Sequence, residues 1–432
     1  MDLNNILRIV NGTCLNEFKN NKIKKIITDT RKLKKNDLFI ALKGKKYNGH
    51  DYFKNISKAS GIIVCEDIKI NTNIPVIKVA STYQALEDIG AHFRGKYNIP
   101  LIAITGSNGK TTTKELISYI LESKYNVLKN KDNKNNIIGV SETLFNLNEK
   151  NNIIVMEMGM NHLGEISKLS KMCKPNLGII TNIGSAHIGI LKKQKNIFKA
   201  KMELKDGLDG MLIVNGDDKY LKKVKKSYKC GKNYNNDLIA YNISSNQDKL
   251  WFNIYLDKEY LITFNNPGLH FINDILIAIK TCLLYNIDIN TIIDKISTFN
   301  MIDSRMKITK IKEITIIDDC YNASFESMKA GLKLLNNIKG SKLIILGDML
   351  ELGRYSKKYH RKLNRIINKI DDREVLTVGN YSKYIQGKNF KDTNEIINYL
   401  KENKLDIKYV FLKASHNMHF EDVKKYIEKK IL

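Results

Sequence analysis

The chain has little of what marks a fibrous, secreted or membrane-spanning protein. Four prolines in 432 residues leave no room for collagen-like or Pro-rich repeats. No apolar run reaches the ~18 residues needed to cross a bilayer. The opening segment MDLNNILRIVNG lacks a basic stretch followed by a long apolar one, so neither membrane insertion nor a secretory signal is expected. Cys14, Cys65, Cys173, Cys230, Cys282 and Cys320 stand far apart with no CxxC pair. They fit reduced, buried thiols better than a zinc site or a disulfide framework, and a cytoplasmic location is expected. Arginine is scarce too, at eight of 72 basic residues. Because arginine is the preferred reader of phosphates and guanines, the net charge of +27 is a weak argument for nucleic acid. The lysines run along the whole chain and read as a solvated surface. No nucleic-acid partner is expected, although the field would draw an anionic substrate.

A hydrophobic fraction of 43% beside 27% charged residues is the mix of a soluble globular protein, and the length predicts two to four domains at roughly 100–200 residues each. Three blocks follow from the patterning. Residues 1–98 carry short apolar strands at 24–28, 38–42, 61–64 and 76–79, then a helix over 83–94 with Leu86, Ile89 and Phe93 on one face. Over 99–303 the pattern becomes strand, glycine turn, helix, repeated, with buried-strand runs at 101–104, 153–157, 177–181 and 211–214. That alternation predicts a mostly parallel sheet between helices. An antiparallel meander is expected over 237–264, with strands at 239–243, 250–256 and 260–264, and a helix over 271–284. The block 304–432 has strands at 314–317, 342–346, 374–378 and 409–412 and reads as a small open α/β domain of the dinucleotide-fold type. The expected fold class is therefore α/β in three domains: a small N-terminal one, a central ATPase-like one, and a Rossmann-like C-terminal one.

The sharpest local signal is Leu101-Ile102-Ala103-Ile104-Thr105-Gly106-Ser107-Asn108-Gly109-Lys110-Thr111-Thr112. Here an apolar strand enters a glycine turn, then Lys-Thr, then a helix from about Thr112. Backbone N–H groups of such a turn close around phosphate oxygens, and the helix N-terminus adds positive potential. Lys110 is placed to reach the outer phosphates and Thr111 to hold Mg²⁺. Ile104 stands where the full phosphate-loop consensus has its first glycine. Glu157 ends a buried strand at the edge where ligands bind in this architecture, and is a candidate Mg²⁺ ligand. His187, after the next strand, would lie at the same edge. By themselves, Lys199 and Lys201 read as lysines of a solvated helix.

Taken together, Asp29-Thr30-Arg31, 37–44, Asn48-Gly49-His50-Asp51, 105–112, Asn135-Asn136-Ile137-Ile138-Gly139, Glu157-Met158-Gly159, 181–184, 318–323 and 346–353 resemble the Mur ligases, ATP-dependent amide-forming enzymes of peptidoglycan precursor synthesis. The segments 318–323 and 346–353 point to the branch that adds D-alanyl-D-alanine, and the Asp-Asn-Pro-Arg signature of the diaminopimelate-adding branch is absent. The resemblance implies that ATP activates the carboxylate of UDP-N-acetylmuramoyl-tripeptide as an acyl phosphate, which the D-alanyl-D-alanine amine attacks.

By position it implies a uridine diphosphate pocket from Thr30, Arg31, Asn48, Gly49 and His50, with Asn135, Asn136 and Asn322 also on substrate. Gly106, Ser107, Asn108, Gly109, Lys110, Thr111, Thr112, Asp274, Arg305 and Asp319 would contact ATP. Thr111, Glu157, His187 and Lys201 would hold two Mg²⁺ ions, Lys201 as a carbamate, with Lys199 the alternative if the match is two residues off. Lys110, Lys201, His187 and Arg305 form the implied catalytic set, and a monomer is expected. Phe271 and Asp274 replace the asparagines of the family's adenine motif, and Asp274 could accept from the adenine amino group but not donate to the ring nitrogen. Ala414-Ser415-His416 departs from the usual Gly-Ser-Arg. A ligase adding a different amino acid, a folate- or cyanophycin-type ligase, or a nucleic-acid-dependent ATPase are the alternatives; 347–353 speaks against the ligases and the want of an aromatic-basic stacking motif against the ATPase.

Overall fold

The computed structural model describes all residues except 18–19, 45–46, 68–72, 302–303 and 404–405. The expected boundary at 303 thus falls outside the described residues on one side. Three α/β sheets follow one another along the chain. The first has five strands in the order Thr13–Cys14, Val76–Lys78, Gly61–Val64, Leu38–Ile40 and Ile26–Ile27, antiparallel only at its first pair. The third has six, in the order Lys307–Ile311, Ile314–Asp318, Tyr409–Lys413, Lys342–Gly347, Arg373–Val378 and Lys388–Phe390, again with one antiparallel pair at the edge.

Between them lies a seven-stranded sheet, parallel throughout. Its order is Leu238–Ile239, Tyr228–Gly231, Met211–Asn215, Leu177–Ile180, Leu101–Thr105, Ile153–Glu157 and Val127–Lys129. Strands Leu101–Thr105 and Ile153–Glu157 are buried at every position, because helices such as Lys110–Leu121 and Glu165–Cys173 cover both faces of a parallel sheet. Leu101–Thr105 is flanked on one side by the strand ending in Glu157 and on the other by the strand preceding Thr181. The chain reverses its direction of travel across the sheet there, and the crevice at the strands' carboxyl ends is where this architecture takes ligands.

Two local expectations change. Ile239 is not part of the meander: Leu238–Ile239 pairs parallel with Tyr228–Gly231 as the edge of the central sheet, and the antiparallel unit is Tyr241–Ser245, Leu250–Tyr255 and Glu259–Phe264. Apolar alternation cannot tell which partner an edge strand takes. The helix after the glycine turn starts at Lys110, two residues early, because Gly109 supplies the left-handed residue that starts it.

Helix Thr82–Lys96 joins the first and central sheets. Ser81 caps it by accepting from Gln84 N–H, and Leu86 and Ile89 are buried. Gly90 sits against Met172 and Ser141. The buried Arg94 donates to the carbonyls of Cys173 at 2.8 Å and Tyr97 at 2.9 Å. A guanidinium satisfied by backbone carbonyls fixes the seam at which the first sheet is attached.

Candidate active site

The turn after Leu101–Thr105 is built for close approach. Gly106 has φ 152° and Gly109 φ 81°, conformations costly for residues with a Cβ. A Cβ at Gly106 would meet Thr181 Oγ1 at 1.9 Å, and one at Gly109 would meet Asp274 Oδ1 at 2.7 Å. The neighbouring turn braces this one: Ser107 N–H donates to Asn182 O at 3.0 Å, Asn108 N–H to Asn182 Oδ1 at 2.9 Å, and Gly184 N–H to Ser107 Oγ at 2.9 Å. The Thr181–Gly184 motif is thereby a scaffold for the glycine turn. Helix Lys110–Leu121 has no side-chain cap, so its first N–H groups open toward an anion.

A cleft of ≈ 970 Å³ lies over this turn. One wall comes from the central sheet, with Ser107, Asn108, Lys110, Thr111, Glu157 and His187; the other comes from the third, with Arg305, Asp319, Tyr321, Asn322 and Glu351. Lys110 Nζ folds back onto the carbonyls of Gly106 at 2.9 Å and Ser107 at 3.3 Å, and burial lowers its pKa against the pull of Glu157. Thr111 Oγ1 donates to Glu157 Oε2 at 2.6 Å and accepts from Arg305 Nη2 at 2.9 Å. Asn135 Nδ2 donates to Glu157 Oε1 at 2.8 Å. Arg305 also stacks on Tyr321, 3.6 Å from the ring centroid, while its Nε has no partner. Asp319 Oδ2 accepts from the buried Lys413, and its Oδ1 from Met306 N–H at 3.2 Å; burial raises the carboxyl despite Lys413.

His187 takes a left-handed backbone at φ 63°, and burial, with Lys201 and Lys110 adding, pushes its imidazole down to about 3. It is neutral, the state in which imidazole binds a metal. Lys201 is fully buried, and its Nζ has no hydrogen-bond partner. Burial first, then Lys110, drives the amine far below its ordinary value. Lys199 is exposed, so the two lysines that the sequence left open stand in opposite environments. Asp274 is buried, and burial pushes it up to about 8. It carries its proton at neutral pH and offers both an acceptor and a donor, as an asparagine does.

The Mur ligase middle domain matches residues 104–282, and the Mur ligase, glutamate ligase domain matches 304–431. The chain belongs to the Mur ligase family. Among Mur ligases it is 32% identical to the UDP-N-acetylmuramoyl-tripeptide–D-alanyl-D-alanine ligase of Bacillus subtilis (strain 168), over 98% of this chain and 97% of that protein. It is 35% identical to the ligase of the same name from Buchnera aphidicola subsp. Baizongia pistaciae, over 91% of this chain and 90% of that protein. A crystal structure of MurF from Acinetobacter baumannii superimposes with TM-score 0.91 at 26% identity, covering 99% of this chain and 98% of that one.

The remaining sites suggested by the Mur ligase resemblance fall in different places. Asn135 and Asn136 line the cleft, but Asn136 Oδ1 is used in capping helix Ile137–Leu144. Asn322 is exposed on the third-sheet wall. Thr30, Arg31, Asn48, Gly49 and His50 do not line this cleft; they sit on loops of the first sheet. Arg31 is held by Asp29 at 2.8 Å, and Asn48 donates to Glu66 at 3.1 Å. His50 lies between Asn48 Oδ1, 2.7 Å from its Nδ1, and the Cys65 N–H, which donates to its Nε2 at 3.1 Å. Burial lowers its pKa, and its ring bridges Asn48 and the backbone of Cys65.

Sequence reasoning overlooked Lys413, Tyr321, Glu326 and Glu351. Lys413 is one lysine among many, and only its place beside the anomalous Ala414-Ser415-His416 hinted at it. Glu326 Oε2 accepts from Ser185 N–H at 3.0 Å and Oγ at 2.8 Å, joining the third sheet's first long helix to the central domain. Glu351 lay inside a quoted motif without a role.

Proposed function

We propose that this Mur ligase joins D-alanyl-D-alanine to UDP-N-acetylmuramoyl-tripeptide at the expense of ATP, releasing ADP and phosphate and forming the UDP-N-acetylmuramoyl-pentapeptide precursor of peptidoglycan. The observation that carries the reading is the junction at Thr111, where the glycine turn, the strand-end Glu157 and the third-domain Arg305 meet through two hydrogen bonds. Activating a carboxylate as its acyl phosphate calls for alignment and neutralised charge rather than a protein nucleophile. In this reading the N–H groups of 106–112 cradle the ATP phosphates, Lys110 moves from its loop carbonyls onto the outer phosphate, and Arg305 approaches from the opposite wall. Asp319 takes the ribose hydroxyls, the protonated Asp274 takes the adenine edge, and Asn322 takes the dipeptide.

Among the described residues no three His, Cys, Asp or Glu side chains stand together as a metal cage. That suits Mg²⁺, which takes few protein oxygens and completes its shell with phosphates and water. Thr111 and Glu157 would hold one ion and His187 with a carbamylated Lys201 a second, and the ions would supply charge neutralisation at the transferring phosphoryl group. Lys201 fits this role because only a neutral amine reacts with CO₂, and burial of its unpartnered Nζ favours the neutral form. We assign 1–98 to the UDP end of the substrate, 99–303 to ATP and 304–432 to the dipeptide. We place the enzyme, as a monomer, in the cytoplasm. The deciding experiment supplies pure protein with ATP, Mg²⁺, D-alanyl-D-alanine and UDP-linked tripeptides ending in lysine, diaminopimelate or another diamino acid, with product read by mass. Absence of the pentapeptide with every acceptor overturns the reading.

A further inference from the structure

Glu351 projects into the cleft just beyond strand Lys342–Gly347, from the third domain toward the central one. Its Oε2 lies 3.1 Å from His187 Nδ1, and it faces the His187 backbone N–H and the amines of Lys110 and Lys201. The position is held firmly. Gly353 packs on Gly189 with no room for a side chain, and Tyr355 OH donates to Lys192 O at 2.9 Å. On the strand side, Asp348 accepts from the N–H groups of Asn380, Tyr381 and Ser382. Three other carboxylates of the cleft have side-chain partners: Glu157 has Thr111 and Asn135, Asp319 has Lys413, and Glu326 has Ser185. Glu351 keeps 42% of its side chain open, and the His187 Nδ1 beside it makes no hydrogen bond.

We propose that Glu351 receives the amino end of the incoming D-alanyl-D-alanine and holds it beside the carbonyl it attacks; the proposal rests on the ligase reading above. An amine arriving as its ammonium form meets Lys110 and Arg305, whose charges repel it. A carboxylate at the mouth of that cluster offsets the repulsion and orients the nitrogen by a charge-assisted hydrogen bond. The same wall presents Lys329 and Lys333, one helical turn apart on Phe325–Asn336, to the carboxylate end of a dipeptide. Glu351 acts here by binding and orientation; the ammonium gives one proton up to water before its nitrogen attacks, and Glu351 is not the base.

The test compares D-alanyl-D-alanine with propionyl-D-alanine, the same molecule without its amine, by titration into protein holding UDP-tripeptide, Mg²⁺ and a non-hydrolysable ATP analogue. Wild-type protein is expected to prefer the dipeptide by roughly tenfold to a hundredfold, the range of a charged hydrogen bond. Glu351→Gln should bind both ligands alike, with KM for the dipeptide raised by the same factor and KM for ATP unchanged. Glu351→Asp should recover part of the preference. If Glu351→Gln keeps the wild-type preference, or shifts the ATP and Mg²⁺ requirement instead, the inference is overturned. Wild-type turnover run alongside reads the ligase assignment by itself. No product there overturns that assignment and this inference with it; product in wild type with an unchanged preference in the variant overturns only the role of Glu351.

Discussion

Replacing Gly189 with alanine perturbs the docking of the third domain while leaving each half of the cleft intact. Gly189 lies in the short helix Ile188–Leu191, outside the left-handed region, and alanine there favours the helix by up to ~1 kcal/mol. The added Cβ would stand 2.7 Å from Gly353 N, 2.8 Å from Glu351 O and 2.9 Å from Leu352 C. All three atoms are backbone of the other domain, and none can rotate aside. Overpacking against fixed atoms costs about 1–3 kcal/mol, a bias against the docked arrangement of roughly 5- to 150-fold at 1.4 kcal/mol per factor of ten. The expected outcome is a Tm within a few degrees of wild type and a kcat/KM for ligation at least about fivefold lower. Small-angle scattering with ATP analogue and UDP-tripeptide should show a more open particle. If the variant ligates at the wild-type rate and compacts as fully, the contact at Gly189 does not govern closure and the reasoning fails.

Further outcomes follow from the same geometry. Lys110→Ala should lower kcat by roughly 10²–10³, the effect of losing a charge-stabilising donor, with the far-UV circular dichroism unchanged. Lys201→Ala should lose activity on a similar scale and regain part of it with acetate; full activity without any supplement would end the carbamate assignment. Asp274 is raised to about 8 when folded from an ordinary 3.8, so between those values the unfolded chain ionises and the folded one does not. Its contribution to stability is complete below pH 4 and declines by about 1.4 kcal/mol per unit as pH rises toward 8. Urea unfolding at pH 5 and pH 8 should show that decline in wild type and a flatter profile in Asp274→Asn; parallel profiles would place the proton elsewhere.

Much of the architecture was written in local pattern. Buried runs such as Leu101–Thr105 and Ile153–Glu157 are strands because a parallel sheet covered by helices tolerates little else. The glycine turn is legible because Gly106 and Gly109 answer demands that their own backbone makes. Fully polar or very short elements, such as Lys388–Phe390 and Thr13–Cys14, left no such trace, since two or three residues carry no period. The edge strand at Leu238–Ile239 was misplaced because alternation does not name a partner.

Sequence alone therefore determined the order of the longer elements, the phosphate-type turn and, through its motifs, the family. What tertiary structure decided was the state of each group. Lys199 and Lys201 differ by two positions, yet one faces solvent and the other is stripped of water and partners. Asp274 looked like a lost hydrogen-bond donor until burial returned its proton. Arg305 meets Thr111 across 194 residues, and Glu351 meets His187 across the domain seam. Desolvation and cross-domain contact depend on the whole packed surroundings of a side chain, which no stretch of neighbouring residues encodes.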